Sequence, residues 1–255
     1  MMRDIFNINR FIMLFKKHTI EHYKSYAMSL LVLMGVLLLG IGYISYMQDG
    51  PIEVPIQIAG FGITLLLSGT IFTSTIFADM GEKSGAIASL TLPASQLEKF
   101  LVAWIYTYII FQLVFTGAFY LIMMLFLNVR HAGSPHNLLF NLFDPNLKVA
   151  FVVFTVLHSI AFYGAIFFKK LNFIKTGFVF FLTLVIIVIA NKVFVELLVG
   201  RDIIRAIPFA QLVYMDNKTL SFVGHPFVPG TAYALIGLAV ILWVAAYYRL
   251  KEKQV

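Results

Sequence analysis

Cysteine is absent from the 255 residues, and only 12% of them carry charge. Without cysteine there is no disulfide framework, no iron–sulfur cluster and no thiolate zinc site. The shortage of charge excludes more. Soluble domains carry about 25% charged residues. This chain is 60% hydrophobic, with a mean hydropathy of +0.90, and could not cover so apolar a core with so little polar surface. Lipid is therefore the solvent for most of it. The usual catalytic signatures are also missing. There is no GxxxxGK[ST] phosphate loop, so the chain does not hydrolyse ATP by that route, and there is no HExxH or GxSxG. The sequence assigns no catalytic, cofactor or metal residue, and the expectation is a non-enzyme. His18 and His22 lie four apart and would share a helix face. They flank Glu21 in a basic segment and read as a polar face rather than as metal ligands. The net charge of +7 does not indicate a nucleic-acid partner, because the basic residues are spread beside the ends of apolar runs.

What is present is six apolar runs, each near the roughly 20 residues needed to cross a bilayer core. They cover 26–47, 56–78, 100–127, 148–168, 176–199 and 229–248. The expected fold is all-α, a single polytopic helix bundle over 1–255. The first run is too long for the apolar region of a signal peptide and reads as a retained span. Ser95 followed by Glu98 is a capping box ahead of span three. Asp144-Pro145 is a helix start ahead of span four, and Pro229 one ahead of span six.

Lysine and arginine set the orientation. Six spans place both termini on one side. That side holds Arg3, Arg10, Lys16, Lys17, Lys24, Lys83, Lys99, Lys169, Lys170, Lys175, Arg249, Lys251 and Lys253, which are 13 of the 19 basic residues. Both termini are therefore expected in the cytoplasm of a bacterial inner-membrane protein. Ahead of span one, Ile5, Ile8, Phe11, Ile12 and Phe15 recur at helical spacing among Arg3, Asn7, Arg10, Lys16 and Lys17. Residues 1–25 thus read as an amphipathic helix lying in the membrane interface. Residues 200–228 are too polar to span and too apolar for a solvated loop, and the expectation there is short helices at the outer leaflet.

Polar groups within spans are few. His158 lies near the middle of span four, where an interhelical hydrogen bond is favoured over a substrate contact. Lys192 and Glu196, four apart in span five, can pair. Ser68, Thr70, Thr73, Ser74 and Thr75 crowd the inner half of span two, with Gly60, Gly62 and Gly69 allowing close approach. Packing is favoured there over a lined pathway.

The connection 79–99 carries Glu82-Lys83-Ser84-Gly85, then Leu90-Thr91-Leu92-Pro93-Ala94-Ser95, then Leu97-Glu98-Lys99-Phe100. An acidic residue and a glycine after span two, a short helix and a Leu-x-x-Pro-x-Ser entry into span three resemble the membrane subunits of ABC-2 type (type V) ABC transporters. The six-span plan with an amphipathic N-terminal helix is similar as well. The resemblance implies an exporter permease that pairs with a second permease subunit and docks on a separate ATPase, which would hold the ATP and magnesium. By position Glu82, Lys83, Ser84 and Gly85 would be the docking residues. Two other classes stay open: a stand-alone carrier or channel, for which His158, Lys192 and Glu196 are the available polar residues, and a scaffold of a cell-surface complex.

Overall fold

The computed structural model describes residues 6–48, 50–76, 95–131, 138–168, 171–199, 203–206, 212–216, 219–223 and 229–252. It is a helix bundle with one small sheet. The helices are α1 (Ile8–Met47), α2 (Val54–Thr75), α3 (Gln96–Trp104), α4 (Phe111–His131), α5 (Pro145–Phe167), α6 (Asn172–Val199) and α7 (Pro229–Glu252). A π-helical stretch, Ile105–Ile110, joins α3 to α4 without a break. With that join, six helices among the described residues are long and apolar enough to cross a membrane. Apart from that small sheet, the described residues form an all-α polytopic membrane bundle.

Local chemistry sets the helix starts. The Asn7 side chain caps α1 by accepting from the amides of Asn9 and Arg10. Ser95 and Glu98 form the expected reciprocal capping box on α3. Asp144 accepts from the Asn146 amide at 2.8 Å, ahead of Pro145 at the first turn of α5.

Side-chain contacts fix the direction of each helix. Asn7 meets Glu98 and Thr19 meets Tyr106, and a Cβ on Gly42 would lie 3.0 Å from the Phe126 ring. So α1 and span three run parallel. The Phe100 and Tyr247 rings are 5.7 Å apart and those of Trp104 and Trp243 5.3 Å, so α7 returns antiparallel to α3. The starts of α1 and α3 and the end of α7 therefore share one end of the bundle. At the other end Gln57, 1% exposed, clamps the segment before α5. Its amide donates to the carbonyls of Ile52 and Leu138 at 2.7 and 2.9 Å and accepts from Phe140 N–H at 3.2 Å.

The core is aromatic. Phe61, Phe115, Phe119, Phe154 and Phe162 are fully buried. Phe61 touches Phe115 and Phe119 edge-on, at centroid distances of 5.2 Å each. α5 is the central helix, its most apolar stretch half buried, whereas the corresponding stretch of α6 has no buried residue. In lipid the uncovered apolar stretch of a helix such as α6 costs nothing.

Two expectations change. The basic segment and the first span are one unbroken helix of 40 residues, about 60 Å long. Its first half packs along α3. Within 200–228 the described residues are not helical. They form a three-stranded antiparallel sheet of β1 (Ile203–Ala206), β2 (Leu212–Asp216) and β3 (Thr219–Val223) in the order β1-β2-β3. Thr219-Leu220-Ser221-Phe222 alternates polar and apolar residues, and Asp216 pairs with Thr219, with two residues between them in sequence. Both are hairpin signals, confined to short stretches that the mixed composition of 200–228 as a whole does not show.

Candidate functional site

Three places in the bundle gather polar chemistry. The first is His158, with no exposed surface. Trp243 Nε1–H on α7 donates to its Nδ1 at 3.2 Å. Nδ1 is thus unprotonated, and the proton sits on Nε2, which lies 2.9 Å from Thr107 Oγ1 in the π-helical stretch. The Thr107 hydroxyl in turn donates to the Ala103 carbonyl at 2.9 Å. Every donor and acceptor of the imidazole is used, and the ring is neutral. One turn away Tyr108 and Thr155 join hydroxyls at 2.9 Å. His158 therefore ties α5 to span three and α7, an interhelical bond as its position suggested. Thr107 and Trp243 were not legible as its partners, because they are 51 and 85 residues away in sequence.

The second is Glu98, fully buried. Its Oε1 accepts from Asn7 N–H at 2.8 Å and from the Arg10 guanidinium at 3.2 Å, and its Oε2 from Ser95 N–H at 2.8 Å. Three donors, one of them cationic, converge on one carboxylate. The cap of α3 thereby also latches the start of α1, a role beyond the capping box.

The third is an apolar groove of about 600 Å³ between α1, α2 and span three. Tyr26, Thr75 and Tyr106 stand at one end and Leu37, Thr64 and Phe115 at the other. The hydroxyls of α2 turn back onto their own helix. Thr64, Ser68, Thr73 and Ser74 donate to the carbonyls of Gly60, Thr64, Gly69 and Thr70. Thr73 and Ser74 are buried in packing, while Ser68 and Thr75 of the same cluster, with Thr64, line the groove. Of the three glycines only Gly69 is a tight approach, to Phe154 and, at 2.9 Å from a built Cβ, to Phe111.

The remaining expected residues fall elsewhere. Lys192 and Glu196 form an i,i+4 pair at 3.5 Å on the surface of α6; they pair with each other and not with His158. The His18 and His22 rings lie tilted to each other with centroids 4.5 Å apart, and His18 Nε2 lies 2.6 Å from the Tyr26 hydroxyl. Burial, with the neighbouring His22 second, pushes His18 down to about 4. Among the described residues no group of three or more His, Asp or Glu side chains is placed to hold a metal. Glu82, Lys83, Ser84 and Gly85 lie outside the described residues. Comparison with protein-family models, curated proteins and solved structures finds no match.

Proposed function

We propose that the chain is the membrane-spanning subunit of an ATP-driven exporter, paired with a second permease subunit and driven by a separate ATPase that docks on the connection between α2 and α3. The reading rests on the Glu82-to-Phe100 pattern that resembles ABC-2 permeases. The Glu98 latch supports it. That carboxylate sits where the connection enters span three and binds the start of α1. A force on the connection would reach α1 and span three together rather than one helix alone. The interior chemistry favours this reading over a stand-alone ion-coupled carrier. The one polar residue expected near mid-depth, His158, is neutral and fully bonded, and the only charged residues in the six expected spans, Lys148, Lys192 and Glu196, include a paired couple on the surface of α6.

In this reading both termini are cytoplasmic, and Glu82, Lys83, Ser84 and Gly85 form the docking face. ATP and magnesium belong to the ATPase, and nucleic acid has no part. The test is purification from the native host in mild detergent. A stoichiometric ATPase should accompany the wild-type chain and be lost, with insertion intact, in Glu82→Lys. An ATPase retained by that variant would remove the docking assignment, and none with the wild-type chain would remove the exporter reading.

A further inference from the structure

The groove between α1, α2 and span three has the dimensions of half a bilayer. It runs along the helix axes from Tyr26 to Leu37 on α1 and from Thr75 to Thr64 on α2. Eleven residues of helix rise about 17 Å, close to one leaflet of a hydrocarbon core about 30 Å thick. Its floor is buried Leu37 and Phe115, and its lips, Val32, Val36, Leu67 and Ile71, are each about half exposed, so it opens sideways to lipid. The apolar lining of this groove of about 600 Å³ excludes water, and an apolar chain seated in it supplies dispersion contacts to its walls. The end shared with the chain termini is polar. Tyr26, Thr75 and Tyr106 close it, and the turns of α1 just beyond carry Lys16, Lys17, His22 and Lys24 against the one acid, Glu21.

We propose that this groove is a binding site for one phospholipid of the leaflet on the side of the termini, with an acyl chain lying between α1 and α2 and an anionic headgroup beside the α1 lysines. The inference needs only a chain that spans a bilayer, and does not depend on the exporter reading. Apolar depth supplies the acyl-chain contacts, and the basic turns supply preference for negative headgroups.

The full-length chain, reconstituted in bilayers of phosphatidylcholine and phosphatidylglycerol, tests this with a phosphatidylglycerol bearing a photoreactive group on its chain. Label is expected on Val32, Val36, Leu67 and Ile71 at five or more times the yield on α6, whose uncovered surface reports ordinary lipid contact. Even labelling of the groove and α6 would overturn the site. Ser68→Trp, which fills the groove, should abolish the excess, whereas Leu39→Trp, on exposed surface outside it, should not. Lys24→Glu should bring the yields of phosphatidylglycerol and phosphatidylcholine probes level. An excess equal for both probes in the wild-type chain would overturn the headgroup assignment. A groove shielded from both probes in a dimer, and labelled only on dissociation, would place a second copy of the chain there instead.

Discussion

At the scale of single residues, the bundle spends its few polar groups on ties between helices. Interhelical hydrogen bonds in lipid are worth about 0.6 kcal/mol on average and up to about 1.7, so no one of them holds the fold. His158 does more than bond, because its ring packs at 5.1 Å from Tyr108, 5.5 Å from Phe162 and 5.9 Å from Phe154. Trp243→Phe keeps the ring contacts and removes one donor. It should cost about 0.6–1.7 kcal/mol. His158→Ala removes both bonds and opens a cavity, and should cost about 2–4 kcal/mol. Added to His158→Ala, Trp243→Phe should cost less than it does alone, since its partner is already gone. Reversible unfolding of the four proteins in mixed micelles measures this. Full additivity would mean that the Trp243–His158 bond contributes nothing.

At the scale of elements, the spans were legible because apolar length is written in consecutive residues. So were the caps at Ser95 and Asp144, which need only three neighbouring positions. What joins elements was not legible. Arg10 and Glu98 are 88 residues apart, and either alone reads as an ordinary helix-end charge. The π-helical turn has no sequence mark, yet it presents Tyr106 to α1 and Thr107 and Tyr108 to α5. The strands within 203–223 were not legible for a different reason: their alternation is local, and the segment as a whole mixes charged and apolar residues. Likewise the continuity of α1 could not follow from a pattern that only changes from amphipathic to apolar. The Glu98 latch makes a prediction about α1. Glu98→Ala leaves two amide donors of Asn7 and Ser95 and the Arg10 guanidinium without their shared acceptor. Because Arg10 is 37% exposed, water recovers part of its loss, and the expected cost is about 1–3 kcal/mol. The first turns of α1 should then exchange amide hydrogens faster, while Gly35 to Met47, packed elsewhere, should not change. Unchanged exchange at Asn9 to Met13 would show that the latch does not hold the helix.

At the scale of the molecule, the contacts fix which helix ends lie together, and the distribution of charge is the ground for proposing which side of the membrane they face. The two arguments are independent. The first rests on Asn7 meeting Glu98 and Tyr247 meeting Phe100. The second is an expectation from sequence, which assigns 13 of the 19 basic residues to that side, where the cost of moving lysine and arginine across the bilayer opposes translocation. Because the chain has no cysteine, single thiols can be introduced without background. Asn9→Cys and Glu252→Cys sit at exposed positions at one end, and Phe143→Cys, at a residue 79% exposed, at the other. A membrane-impermeant maleimide added to intact cells should label only Phe143→Cys, and should reach the other two after permeabilisation. Asn9→Cys and Glu252→Cys reacting from opposite sides would contradict the six-span bundle itself. Both reacting from outside, with Phe143→Cys protected, would keep the bundle and reverse it in the membrane. That result would carry the 79–99 connection to the outer face, where no ATPase could dock, so one labelling experiment decides both the orientation and whether the exporter reading is physically possible.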